Sequence, residues 1–481
     1  MNRRLLLLVS LLTVISVLLG ACGGGAQPAP TAAPAAAAPT EAPAAAAPTE
    51  APAAAAPTAA PAASSGETVN LDYWLWDANQ LPAYQKCADN FMAKNPNIKV
   101  TITQQGWNDY WSGIQNGMIG GTAPDVFTDH LAKYPEFASK NQLVDIQPYI
   151  DRDKVDLSVY LSGLADLWGR DGKRFGLPKD WDTIAIVYNK DMLDKAGVTV
   201  DEVSNATWNP DDGGTFAQLI AKLTLDENGK NALDPAFDKT KVAQYGLIIN
   251  GAGEGYGQTE WSWLTNTTGW KHIDNLYATA YHYDDPRFIK TIQWYADMMA
   301  AVKVMPLELV TSLGGSAAFN AGKGALHSNG SWMIGDFAKN ATFPFGFARL
   351  PKGPEGRKSM FNGLADSIWI GSKHPDQAWE LVKYLASADC ANVVGDAGVV
   401  FPAQQSGVEK AVAAYKAKGL DVSAFTEQAL EKDGTFLFPV TDHASEISGI
   451  MTPVMQSIML NQAKAADVLP AANEQVNALF K

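Results

Sequence analysis

From Val69 onward, stretches with an apolar residue at every second position are followed by longer stretches with apolar residues three and four apart, and this alternation constrains the fold more than any other feature. Val69, Leu71, Tyr73 and Leu75 read as a strand, the chain turns at Asp77-Ala78-Asn79, and Pro82 opens a helical stripe through Tyr84, Cys87, Ala88 and Phe91. Ile98–Thr103 predicts a second strand, Trp111–Ile119 a helix and Pro124–Phe127 a short strand. The same style returns at Ile184–Asn189 and Tyr245–Asn250 (strands), and at Phe216–Leu225, Ile289–Val302, Ala378–Leu385 after Pro375, and Glu446–Asn461 (helices). Strands and helices in alternation can bury both kinds of apolar face only in an α/β arrangement, here expected on a largely parallel sheet. Ligands of such sheets bind beyond the carboxyl ends of the strands, which directs attention to Trp76, Asp77, Asn79, Asp129 and His130.

The first residues fold under different rules. Arg3 and Arg4 precede an apolar run from Leu5 to Leu19 that stops at Gly20-Ala21-Cys22, the pattern of a secretory signal with a lipoprotein cleavage site. Residues 1–21 are expected to be removed and Cys22 to carry the lipid, which places function outside the cytoplasm. Residues 22–66 are nearly all Ala, Pro and Thr and lack the large side chains that could offset ordering entropy. They read as a tether of polyproline-II-rich coil, reaching at most about 130 Å at ~3.1 Å per residue.

Residues 67–481 are long enough for two ordinary domains, and a sequence that is 47% hydrophobic over its whole length, with 14 Trp, suits a well-packed body. A formal charge of −14 supplies no basic footprint for nucleic acid or an anionic lipid surface, so the expected ligand is neutral or cationic. The helical stripe makes Cys87 a buried apolar thiol, and spacing leaves open whether it pairs with Cys390.

Several segments then resemble, in sequence order, the family 1 extracellular solute-binding proteins of ABC importers, the sugar-binding type to which the maltodextrin-binding protein belongs. Leu71–Thr103 is similar to that family's opening strand, helix and Asn-Pro-x-Ile-x-Val strand, and Gly121-Thr122-Ala123-Pro124-Asp125-Val126 to its Gly-Thr-Ala-Pro-Asp-Val segment. Phe175-Gly176-Leu177-Pro178 with Val187-Tyr188-Asn189-Lys190-Asp191 resembles the first passage between lobes; Ala318–Ala325 and Gly330-Ser331-Trp332 resemble the family's Phe-x-x-Gly-Lys-x-Ala and Gly-Ser-Trp pair. Asn209–Gly214 and Gly251–Gly269 have no strong family pattern, which puts the ligand-specific loops in doubt.

The resemblance implies a periplasmic-binding-protein-like α/β fold of two lobes joined by a multi-crossing hinge, with crossings near Pro178–Asp182, Phe361–Asp366 and Phe401–Gln405. Lobe 1 is expected at about 67–178 and 364–402, and lobe 2 at about 179–363 and 403–481. It implies a monomeric, lipid-anchored binding protein that closes on a mono- or oligosaccharide and delivers it to membrane permease subunits, using no cofactor. A sensor of the same fold, or a binder of a polyol, glycerol phosphate or other polar solute, is the alternative.

A sugar offers an apolar C–H face and a ring of hydroxyls, so its site needs flat aromatic rings and fixed polar partners. The resemblance carries ligand binding most directly to Asp77, Asp129, Asp182 and Trp332. Trp76, Asn79, Lys179, Asp180, Trp181 and Asp366 occupy the same loops, and Trp261 could line the other lobe. Trp263 and Trp270 read rather as packing, and Asp125 as a turn or cap.

Asp180 with Asp182, or Glu254 with Glu260, could be imagined as the carboxyl pair of a glycosidase, but nothing in their spacing selects them, and the chain is not expected to be an enzyme. The glycines of Gly251–Gly257 do not fit a nucleotide-binding fingerprint, and the six histidines lack metal-ligand spacing.

Overall fold

The computed structural model describes residues 68–161 and 163–481. The expected signal segment 1–21, the tether 22–66 and Cys22 lie outside the described residues. Among the described residues no helix is long and apolar enough to cross a membrane.

The chain opens with β1 (Val69–Leu75), α1 (Leu81–Lys94), β2 (Ile98–Gln104), α2 (Trp107–Gly120) and β3 (Val126–His130). Leu71, Tyr73 and Leu75 point into the core as their alternation requires, while β3, which has a neighbour on each side, is buried along its whole length. After β4 (Leu177–Pro178) the chain passes through β5 (Asp180–Trp181) to β6 (Ile184–Asn189), then β7 (Leu225–Asp226), β8 (Val242–Ile248), α3 (Pro286–Ala300), β9 (Gly324–Gly330) and β10 (Phe345–Ala348). It returns through β11 (Ser359–Phe361) and β12 (Leu364–Ile368) to α4 (Pro375–Leu385), α5 (Ala388–Ala397), β13 (Phe401–Pro402) and α6 (Gln405–Ala417). The last elements are α7 (Ser423–Leu430), β14 (Thr435–Leu437), α8 (Ala444–Met459) and α9 (Ala465–Ala478).

These elements form two five-stranded sheets, ordered β2-β1-β3-β12-β4 and β10-β6-β9-β8-β7, each the core of an α/β lobe. Between the sheets, β5 pairs with β13, β11 with β14, and Asp182 with Asn362. The sheets are less parallel than the sequence pattern suggests. β1 runs parallel to β2 and β3, but β12 lies antiparallel to both β3 and β4, and in the second sheet only β8 and β9 pair in parallel. The reason is topological: β12 enters the first sheet from the other lobe, at the end where β3 finishes, and therefore runs back along it. α6 packs on α5, on the side of the first lobe, and α7 then packs on β6 and β10 of the second.

Cys87 and Cys390 form a disulfide with Cα atoms 5.3 Å apart, so Cys87 is not the free thiol that its place on the stripe suggests. The apolar face of α1 that buries Cys87 packs on α5, which carries Cys390. A sequence separation of 303 residues hid this neighbour, because only the tertiary packing brings the two helices together. The link closes a long loop in the unfolded chain and should contribute about 2–5 kcal/mol. We expect Cys87→Ser to lower the denaturant midpoint accordingly and dithiothreitol to shift the wild type but not the variant; an unchanged midpoint would show that the bond adds nothing.

Candidate ligand-binding cleft

A cleft of about 820 Å³ lies between the lobes, within the range of ligand pockets (roughly 300–1,000 Å³). The first lobe contributes Trp107, His130 and Lys133. The second contributes the loop Asn250–Glu260 after β8, Asn329 and Trp332 at the end of β9, Phe438, and Ser445, Ser448 and Thr452 on α8. Most of these residues follow strands, where an open sheet leaves room for a ligand.

The aromatic lining is held from behind. Trp107, 45% exposed, stands edge-on to Trp76 at 5.1 Å between ring centroids, and Trp76 in turn meets Tyr110 at 5.2 Å. On the facing side, Phe438 lies between His130 of the first lobe (5.3 Å) and Tyr256 of the second (5.0 Å). Trp261 is wholly buried; its Nε1 donates to the Ala252 carbonyl at 3.0 Å, and the loop wraps its ring with Gly253 (φ 80°) and Gly257 (φ 54°). A Cβ at either glycine would strike that ring, so glycine is required there for the wall to keep its shape.

The polar lining is linked but not saturated. Asn250 Nδ2 donates to Thr259 Oγ1 at 3.0 Å, Ser316 Oγ to Asn250 Oδ1 at 3.3 Å, and Asn329 Nδ2 to Ser316 Oγ at 3.0 Å. Glu260 accepts from the backbone N–H and hydroxyl of Thr259 at 3.2 and 2.9 Å, and burial raises its pKa. Gln258 Nε2 is buried with no acceptor among the described residues. Among the described residues Lys133 is the only Lys or Arg in the lining, against Glu254 and Glu260. Burial lowers the His130 pKa to about 3, so this imidazole is neutral at physiological pH, with Nδ1 accepting from the Ala132 N–H at 3.0 Å.

On one flank the lobes touch directly. Arg170 forms a two-pronged ion pair with Asp442 and lies 4.5 Å over the Tyr277 ring; the Tyr134 and Tyr277 hydroxyls meet at 2.5 Å; Ser445 Oγ donates to Glu136 Oε2 at 3.0 Å.

The sequence pattern of the bacterial extracellular solute-binding proteins matches residues 77–390. The chain belongs to that family. Among its relatives, the arabinooligosaccharide-binding protein of Bacillus subtilis (strain 168) is 22% identical over 345 residues, 68% of this chain and 71% of that protein. UspC of M. tuberculosis is 25% identical with a TM-score of 0.68, covering 85% of this chain and all of UspC. An ABC substrate-binding protein from Listeria monocytogenes, solved in complex with cycloalternan, has a TM-score of 0.73 at 20% identity, covering 86% of this chain and 99% of that one.

In this solute-binding protein the residues singled out from sequence divide into three groups. Trp332 lines the cleft, and Trp76 braces Trp107 behind it. A second group builds the hinge. Lys179 Nζ donates to Tyr73 OH (2.8 Å), Thr128 Oγ1 (2.9 Å) and Asp366 Oδ1 (3.1 Å) and lies 3.7 Å over the Tyr84 ring, so all three of its protons are used internally. Asp180 Oδ1 accepts from the Leu364 N–H at 2.9 Å, and burial pushes its pKa up to about 7; Asp182 accepts from Ser331 Oγ at 2.7 Å and is raised by burial and by Asp180. Trp181 stacks on Phe401 at 4.8 Å. The third group is not part of the cleft lining. Asp77 accepts from the Asn79 N–H (2.7 Å) and Gln80 Nε2 (3.0 Å) and borders a void of only about 10 Å³, Asn79 is exposed, and Trp261 is core. Asp129 lies inside β3, which runs three residues beyond the predicted strand end, and only its Oδ1 has a partner, the His130 N–H at 2.8 Å. Asp125 accepts from the Asp72 N–H and from Ser372, and Trp263 is wholly buried in the core.

Trp107, Lys133, Gln258 and Phe438 also line the cleft and are not among the residues the sequence singles out. Of these Trp107, three residues beyond the end of β2, holds a strand-end position that the sequence carries.

Burial raises the Asp129 pKa to about 8. The folded state therefore holds a proton that the unfolded state releases near its usual pKa of about 3.9, and stability falls as pH rises between these values. From pH 5 to pH 8 we expect the melting temperature to fall less in Asp129→Asn than in the wild type; parallel curves would show that Asp129 ionises freely.

Proposed function

We propose that this chain is the lipid-anchored, extracytoplasmic binding subunit of an ABC importer, which captures a neutral saccharide between its lobes and presents it to a membrane permease. The observation that carries the reading is the cleft itself, where Trp107 and Trp332 offer apolar surface and Glu260, Gln258 and Asn250 offer acceptors and donors without a cluster of cations. Sugar hydroxyls suit half-satisfied carboxylates and amides, and sugar C–H faces suit aromatic rings. An anionic ligand such as a glycerol phosphate would meet Glu254 and Glu260 with only Lys133 to balance them.

The names of the relatives support the same reading: one binds an arabinooligosaccharide, and a similar fold was solved with cycloalternan. Anchoring rests on Leu19-Gly20-Ala21-Cys22. The hinge of β5, β11 and β13 lets the lobes, divided near Lys179, Leu364 and the end of α6, close as bodies. A ligand that binds both walls stabilises the closed form, the state a permease would recognise.

In a screen of mono- and oligosaccharides, polyols, amino acids and peptides, we expect a neutral saccharide to raise the melting temperature and shift tryptophan fluorescence. Trp107→Ala and Glu260→Gln should each weaken binding at least about tenfold. A response to amino acids or peptides alone would overturn the saccharide assignment. Cys22→Ala should abolish fatty-acid labelling; retained labelling would refute the anchor.

A further inference from the structure

A second groove, of about 700 Å³, lies in the second lobe between residues 269–276 and β14. Its volume also falls within the range of ligand pockets (roughly 300–1,000 Å³). Phe438 lines this groove and the main cleft alike, so the two share one aromatic wall.

The groove has the fittings of a saccharide subsite. Phe436 is half-buried and Leu437 is 44% exposed, and both offer apolar surface to the groove. Beside them, His272 is 3% exposed and stacks on Phe436 with centroids 6.4 Å apart and planes at 27°. The His272 Nε2 donates to the Tyr256 carbonyl at 3.1 Å, which fixes the tautomer and leaves Nδ1 an acceptor with no partner among the described residues. Burial holds the His272 pKa down at about 3, so Nδ1 keeps its lone pair at physiological pH. The rim carries both signs of charge, Lys271 and Lys358 against Asp274, Glu355 and Asp433, with Lys358 Nζ bound to the Asp433 carbonyl at 2.6 Å, so it offers no cluster of one sign around an ion.

We propose that this groove takes the far end of a linear, neutral oligosaccharide whose first units fill the main cleft, with Phe436 and Leu437 against the sugar faces and His272 Nδ1 accepting a hydroxyl. The inference rests on the saccharide reading of the main cleft and narrows it to a chain longer than that cleft holds. Tyr256 ties the sites together: its ring packs on Phe438 at the main cleft, and its carbonyl orients His272 in the second groove.

The test is calorimetric titration of the full chain with arabino- and maltooligosaccharides from two to eight units. In the wild type, affinity should rise about tenfold once the chain outgrows the main cleft. Phe436→Ala and the more exposed Leu437→Ala should remove that gain while leaving affinity for the shortest binder unchanged, a control that also reports an intact fold. Binding that does not depend on length, or a gain that survives both substitutions, would overturn the second subsite and leave the main cleft's assignment standing. Failure of both series to bind the wild type, with another saccharide of the wider screen bound independently of its length, would overturn this inference alone; failure of every saccharide in that screen would overturn the saccharide reading and this inference with it.

Discussion

The ion pair of Lys179 and Asp366 sits where the chain first leaves one sheet for the other, and the geometry of the hinge depends on it. Lys179 follows β4, Asp366 lies in β12, and the groups that surround them, Tyr73 of β1 and Thr128 of β3, belong to the two central strands of the first sheet. Burying two charges is costly unless every proton and lone pair is engaged. Here the ammonium makes three hydrogen bonds and rests on Tyr84, while Asp366 Oδ1 also accepts from Tyr73 OH at 2.9 Å and Thr128 Oγ1 at 3.0 Å. Four segments of distant sequence are thereby fixed at one point, and the peptide that continues to β5 starts from a defined position.

That fixed start explains the division of labour among the acidic residues. Asp180 and Asp182 follow directly, so their side chains go to the Leu364 N–H and Ser331 and hold the hinge together. The carboxylates that line the cleft are Glu254 and Glu260, on a loop in which glycines wrapped around Trp261 set the backbone. Desolvation raises the pKa of both Asp180 and Asp182 in the hinge and of Glu260 at the cleft wall. At Glu260 the hydrogen bonds from Thr259 oppose that rise and favour the carboxylate form, which accepts from a hydroxyl donor.

The fold was legible because it is written in local periodicity: β1 and β6 coincide with their apolar spacing, and α1 and α4 contain the stripes that mark them. Antiparallel β12 was not legible, since its direction follows from the passage between lobes and not from its own residues. The Cys87–Cys390 bond was hidden for the same reason. At the site, sequence identified the strand ends but not the direction of the side chains. Asp129 looked available because its strand was read three residues too short, and Asp77 looked available because nothing local shows that both its oxygens turn back to Asn79 and Gln80. Trp332 is recognisable from the Gly-Ser-Trp segment. Glu260 and Gln258 lie in a loop without family pattern, where neighbours are set only by the tertiary fold.

Capture between two walls is the central claim, and hydrogen-exchange mass spectrometry with and without a bound saccharide tests it most directly. Closure predicts simultaneous protection of peptides containing Trp107 on the first lobe and Gly251–Glu260 on the second, with the hinge strands little changed. Protection on one wall alone, or on neither, would contradict closure of the lobes around a shared ligand.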